Sequence, residues 1–146
     1  MADVHEPSVR SYNMSRVKAT NTKPEILVRK TLHAAGFRYT LHGKHKGKSL
    51  PGKPDIVLPA YKSVIFVHGC FWHAHKDCRY FKIPETRTEF WEKKLFGNRD
   101  RDKKNENILS EKGWSVFIIW TCELKTKEIS ERTLNQLIKR LNPAIS

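Results

Sequence analysis

The stretch LPGKPDIVLPAYKSVIFVHGCFWH, residues 50–73, sets the fold. Two short apolar runs, residues 56–58 and 64–67, are separated by Pro59-Ala60-Tyr61-Lys62-Ser63, a five-residue connection that predicts an antiparallel hairpin with the second strand central. Downstream, Trp114-Ser115-Val116-Phe117-Ile118-Ile119-Trp120 follows Gly113 and reads as a third strand, buried on both faces. Between the second and third runs a helix is expected over residues 88–112, with Thr86-Arg87-Thr88-Glu89 as a capping box. That order is a β-α-β crossover, which predicts parallel pairing and a right-handed connection. The stretch NRDRDKKNEN, residues 98–107, holds no apolar side chain, so it must face water or a ligand.

On the N-terminal side, Thr22-Lys23-Pro24-Glu25 has capping-box spacing and opens a helix over residues 23–35 that Gly36 stops. Residues 37–41 alternate as a strand does, and residues 42–53 are too rich in Gly, Pro and Lys for anything but a loop. A last helix is expected over residues 130–141, starting at Ser130 and packing Leu134, Leu137, Ile138 and Leu141 on the sheet. The expected fold is therefore α/β, a central mixed sheet flanked by helices, in a single domain spanning residues 1–146 with a flexible N-terminal arm, residues 1–20.

Charge narrows the partner. Lys and Arg number 28 against 15 Asp and Glu, a net +13 over 146 residues, which points to a polyanion and first of all to nucleic acid. No apolar run approaches a membrane span, and MADVHEPSVR lacks the apolar stretch of a signal peptide, so a cytoplasmic protein is expected.

An odd count of three cysteines argues against disulfides in a cytosolic chain. Cys70, Cys78 and Cys122 together with His75 make a Cys3His set, the donor complement of a closed tetrahedral Zn2+ site. Cys122 is remote in sequence but follows the third strand, where a parallel neighbour brings it beside the end of the second. Three buried thiols and a surface histidine are the alternative. With His75 assigned to zinc, His68 and His73 remain beside Phe71 and Trp72 at the end of a central strand, where α/β folds form ligand sites. A neutral imidazole there can take a proton from water.

Between Glu25 and Asp55 stand seven Lys or Arg and no acid, so Asp55 is isolated in a positive field. Such an aspartate either holds Mg2+ or caps a turn. Phosphodiester cleavage needs a hard oxygen ligand, a proton acceptor and positive charge around the phosphate; Asp55, a histidine and the lysines supply all three.

LPGKPDIVLP (50–59), VIFVHGCFWH (64–73), TRTEFWEKK (86–94) and GWSVFIIWTCEL (113–124), with RSYNMSRVKATNTKPE (10–25), closely resemble the very-short-patch repair (Vsr) mismatch endonucleases, in the same order over residues 10–125. The resemblance implies a restriction-endonuclease-like domain that nicks duplex DNA 5′ to the thymine of a T:G mismatch left by deamination of 5-methylcytosine. It implies Asp55 and the Val67 carbonyl as Mg2+ ligands, His73 as general base oriented by Asp102, and His68 as a second active-site histidine. Glu25 matches an outer-shell acid, although the local capping box explains it equally well. The family's zinc ligands match Cys70, His75, Cys78 and Cys122. Phe71, Trp72 and Trp91 match an aromatic wedge that enters the duplex, Met14 a residue reaching the opposite groove, and Lys94 and Asn98 residues near the mispaired bases. Cooperation with MutL and a cytosine-5 methyltransferase is also implied, and a single asymmetric mismatch suits a monomer. Loop 42–53 is longer and more basic than the family pattern, and Val67 stands in place of a threonine. Two other readings are open: a site-specific nickase of the same fold without mismatch preference, and a non-catalytic zinc-containing DNA-binding module.

Overall fold

The structure is a computed structural model and describes residues 22–142. The N-terminal arm, residues 1–20, and Met14 lie outside the described residues. Elements run in the order α1 (Lys23–Ala34), β1 (Thr40–Leu41), β2 (Lys44–His45), β3 (Lys48–Ser49), β4 (Ile56–Leu58), a 3-10 turn (Pro59–Tyr61), β5 (Ser63–His68), α2 (Thr88–Glu111), β6 (Ser115–Trp120), a second 3-10 turn (Thr121–Leu124) and α3 (Lys127–Leu141).

Strands β1, β4, β5 and β6 form one mixed sheet in that spatial order. β4 and β5 pair antiparallel, with Val57 opposite Val64, as the five-residue connection predicts. β5 and β6 pair parallel along their whole length, from Ser63 with Ser115 to His68 with Trp120, as the intervening helix predicts. Alternation along the strands splits the core into two layers. Ile56, Leu58, Ile65 and Ile119 pack with Val28 and Leu32 of α1 and Leu134, Leu137 and Leu141 of α3. Val57, Val64 and Phe66 pack on the other face with Leu109 of α2 and Trp114. The result is a helix–sheet–helix sandwich whose central strand β5 ends at His68. No helix among the described residues is long and apolar enough to cross a membrane.

Local chemistry sets several boundaries. Thr22 caps α1, its hydroxyl accepting from the Glu25 backbone at 3.4 Å. The last turn of α2 closes through Gly113, at φ +91, with the Trp114 N–H donating to the Leu109 carbonyl at 3.0 Å and the indole buried behind it.

Five expectations are corrected. β1 is only two residues long, so residues 37–39 are not strand; Phe37 is instead buried against Tyr61 and the α1 layer. Residues 42–53 are not a featureless loop, because β2 and β3 form a small hairpin there. The Thr86 capping box is not made: the N-cap of α2 is Arg87, in a left-handed conformation, and the Thr88 hydroxyl donates to the Pro84 and Glu85 carbonyls. α3 begins at Lys127 with Thr126 as its cap, because the Thr126 hydroxyl accepts from Ile129 N at 3.2 Å and leaves Ser130 inside the first turn. β6 is an edge strand with only Ile119 fully buried, not a strand covered on both faces.

Candidate active site

Two clusters of chemistry-bearing side chains meet where β5 and β6 end. The first lies in an open cleft of about 840 Å3 whose walls include Glu25, Asp55, His68, His73, Lys94 and Asp102. Asp55 stands at the entrance to β4 and is drawn toward β5 by the Val67 backbone N–H, which donates to Oδ2 at 2.6 Å. Burial, with the neighbouring Glu25 adding to it, raises the Asp55 carboxyl to about 7 against the pull of that N–H. Glu25 thus serves two purposes at once: its backbone N–H completes the helix cap, while its buried carboxyl faces Asp55. Two acids held together in a half-buried place repel unless a cation or a shared proton sits with them, and carboxylate oxygens are the donors that a hard divalent ion takes. Asp55 with the adjoining Val67 peptide therefore fits such an ion.

His68 closes β5 and is buried, with its Nδ1 lacking a hydrogen-bond partner. Burial, then the neighbouring His73, lower it to about 4, which keeps the ring neutral near pH 7. His73 stacks on it at 3.9 Å between ring centres with planes 1° apart. The outer ring is held from α2: His73 Nδ1 lies 2.6 Å from Asp102 Oδ2. A hydrogen bond at Nδ1 leaves Nε2 as the working nitrogen. The donor atoms of His68, His73 and Asp102 lie within 4.8 Å of one another, yet this trio is not a metal cage. Imidazole lone pairs lie in the ring plane, and two parallel rings keep theirs in separate planes that do not converge on one ion.

Why a helix with so little apolar surface sits here is now plain. Three residues in the stretch 98–107 of α2 join it to the loop between β5 and α2 by polar contacts, while others of the stretch face solvent. Asn98 Nδ2 donates to the Trp72 carbonyl at 3.0 Å, Arg99 donates twice to the Ala74 carbonyl, at 3.0 and 2.6 Å, and Asp102 takes His73. Ala74 has φ +49, a left-handed conformation unfavourable for alanine, and the Arg99 fork holds it there. Asn98, expected near the mispaired bases, thus has its amide nitrogen engaged in holding the Trp72 loop. Lys94, one turn earlier, is exposed on the cleft wall.

At the cleft, Phe71, Trp72 and Trp91 form a cluster, edge-on with ring centres 5.1 Å apart for Phe71 and Trp72 and 5.6 Å for Phe71 and Trp91, and tilted at 6.1 Å for Trp72 and Trp91. All three rings are partly exposed. Phe90 extends the cluster from Trp91 at 5.2 Å, 45% exposed, with the Arg87 guanidinium 4.4 Å over its ring. The adjacency of Phe90 and Trp91 within one motif is the sequence signal for this fourth ring, which the reading of residue types alone missed.

The second cluster is Cys70, His75, Cys78 and Cys122, whose donor atoms lie within 4.8 Å of one another. The loop after β5 supplies three of them, wound so that the His75 N–H donates to the Cys70 carbonyl at 2.9 Å, and the turn after β6 supplies Cys122. Burial, followed by the Cys70 and Cys78 thiols, raises Cys122 to about 12. Three sulfurs with one imidazole nitrogen, gathered this closely, fit Zn2+ by number and chemistry. Sequence reasoning missed the groups between the clusters. Trp120 stacks on His75 at 3.9 Å and meets the His68 ring edge-on at 5.2 Å, and the Thr121 hydroxyl accepts from the Cys70 N–H at 3.4 Å.

Residues 2–80 match the family model described as DNA mismatch endonuclease Vsr. The chain is 44% identical over 145 residues, 99% of its length and all of the relative's, to the type II nicking enzyme V.NmeAIP of Neisseria meningitidis serogroup A. It is 43% identical over 128 residues, 88% of its length and 79% of the relative's, to the DNA mismatch endonuclease Vsr of Escherichia coli K12. Among solved structures, the catalytic domain of the homing endonuclease I-Bth0305I superposes with a TM-score of 0.54 at 21% identity, covering 86% of this chain and all of that one, a likeness of fold.

Proposed function

The chain belongs to the Vsr family of DNA mismatch endonucleases, and from that membership we propose that it nicks duplex DNA 5′ to the thymine of a T:G mismatch, with Mg2+ in the Asp55 cleft and Zn2+ in the Cys3His cluster. The observation that carries the reading is one cleft lined by an acid pair, a stacked imidazole pair and an orienting aspartate, with a cluster of aromatic rings alongside.

Each residue has a role in that reaction. Asp55, with Glu25 behind it and the Val67 carbonyl beside it, would hold Mg2+, which supplies Lewis-acid stabilisation of charge on the phosphate when bound. His73, its Nδ1 hydrogen taken by Asp102, presents Nε2 to accept the proton of the attacking water. His68, neutral and buried, supports the His73 ring from behind and offers a donor toward the phosphate. Lys94 adds positive charge on the wall. Phe71, Trp72 and Trp91 enter the base stack, where unstacking costs a few kcal/mol and ring stacking returns about 1 to 3 kcal/mol per base, so a weakened mismatched step is the favoured place of entry. Cys70, His75, Cys78 and Cys122 would hold Zn2+ and fix the loop that bears both His73 and the wedge. The same reading places the protein in the cytoplasm, acting as a monomer, with MutL and a cytosine-5 methyltransferase as the expected partners.

A second reading, nicking at a defined sequence without mismatch preference, is favoured by the names of several relatives, among them the type II nicking enzymes V.NmeAIP and V.XorIIP. One assay separates them: single-turnover nicking of matched and T:G duplexes of the same sequence, with Mg2+ and without divalent ion. Mismatch-dependent cutting that needs Mg2+ is expected. Equal rates on both duplexes support the second reading, and binding without cutting on either removes the catalytic assignment.

A further inference from the structure

The hairpin β2–β3 takes no part in the chemistry of the cleft, and residues 44–49 bury none of their own side chains fully. Two strands of two residues cannot hold themselves together in water. This pair is instead anchored from several sides. Leu50 N donates to the Gly43 carbonyl at 2.9 Å, the Thr40 hydroxyl to the Lys44 carbonyl at 2.5 Å, and His45 meets the buried Trp114 ring edge-on at 5.0 Å. Gly43 lies so close to Lys53 that a Cβ there would fall 2.7 Å from the Lys53 Cα, an approach only glycine allows. Both roots of the hairpin stand on the cleft: His42, Gly52 and Lys53 line it, and the His42 N–H donates to the Asp55 carbonyl at 3.2 Å.

What this fixed arm displays is charge. Lys44, Lys46 and Lys48 are all exposed, and among the described residues no carboxylate pairs with them. The two turn residues, Lys46 at φ +51 and Gly47 at φ +77, are both left-handed, the conformation for which asparagine is the favoured first residue. A lysine there gives up local stability and adds a third positive charge to a rigid tip that already repels itself. That combination is favourable only when a polyanion lies against it.

We propose that the β2–β3 hairpin is a phosphate clamp that grips the backbone of the duplex away from the scissile bond, so that much of the binding is carried by an element separate from the reacting groups. The proposal rests on reading the cleft as a duplex-DNA site.

The test uses the full-length chain with Asp55→Ala, so that no cutting intervenes, and a matched duplex titrated over a range of salt. Removing one lysine–phosphate pairing lowers the slope of log affinity against log salt by about 0.9. Lys46→Asn should reduce the slope by about 1 with the melting temperature kept or raised, since it restores the preferred turn residue. Lys44→Thr, Lys46→Asn and Lys48→Thr together should reduce it by about 3. An unchanged slope in the triple variant overturns the clamp, as does an affinity loss without any change of slope. Nicking by the otherwise wild-type chain, followed in parallel, reports on the cleft reading separately: its failure leaves the slope comparison standing, and its success with an unchanged slope removes the clamp alone.

Discussion

The Asp55 cleft and the Cys3His cluster both draw on the loop after β5, are bridged by Trp120, whose ring meets His68 of one and His75 of the other, and are opposite in design. The cleft gathers hard oxygen and imidazole nitrogen donors around open space and holds two acids close enough to disturb each other. The cysteine cluster brings its four donors within 4.8 Å of one another and stacks its histidine flat on Trp120. One region holds two acids whose proximity a cation would relieve; the other gathers the donors that a soft ion would take. Residues 69–78 join the two, so order created in one is delivered to the other through His73 and Trp72.

Four experiments probe this contrast. The largest effect is expected at the cysteines. Zinc in such sites contributes about 10 to 16 kcal/mol, comparable with the stability of a whole domain, so Cys78→Ser should abolish stoichiometric zinc and cooperative thermal unfolding of the loop, as read by metal analysis and calorimetry. A variant that melts as wild type does would show that the cluster holds no structural ion. Next, Asp55→Ala should lower single-turnover nicking by about a thousandfold or more while DNA binding persists. Its melting temperature should stay level or rise, because the substitution relieves the repulsion with Glu25; a fall of many degrees would make the acid structural and erase the distinction between the two regions.

Asp102→Asn should follow, reducing nicking by about a hundredfold to ten-thousandfold. Little further loss is expected on adding His73→Ala, because the pair acts as one device. Additive losses in the double variant would separate the two residues. The smallest effect belongs to the shared indole. Trp120→Leu keeps an apolar side chain but loses the flat face, and both zinc retention and nicking should drop by about tenfold, in the range seen when groups behind a metal ligand are changed. A change in only one of the two measurements would mean that the regions are neighbours without being coupled.

Much of the fold could be read locally. Residues 56–58 and 64–67 with a five-residue link dictate a hairpin, and a long helix before residues 115–120 dictates a parallel return, because periodicity and connection length act over short distances. The local reading failed where another partner overrode the pattern. Thr88 gives its hydroxyl to carbonyls before the helix, Thr126 is available one turn before Ser130, and residues 42–53 find a support in Trp114 that no sequence window contains.

The site divides along the same line. Residue types and short spacings were enough to establish which donor chemistries are present: three thiols, histidines grouped after a central strand, an aspartate isolated among lysines, and paired aromatics. They also carry the family resemblance. Which nitrogen of His73 is held was settled only by folding, because Asp102 comes from a helix 29 residues away in the chain. Folding likewise settled that Asn98 secures Trp72, that the Glu25 N–H goes to the Thr22 cap while its carboxyl faces Asp55, and that Trp120 lies between the two clusters. Such roles depend on distances of a few ångströms between elements far apart in sequence, and those distances exist only once both faces of the sheet have closed on their helices.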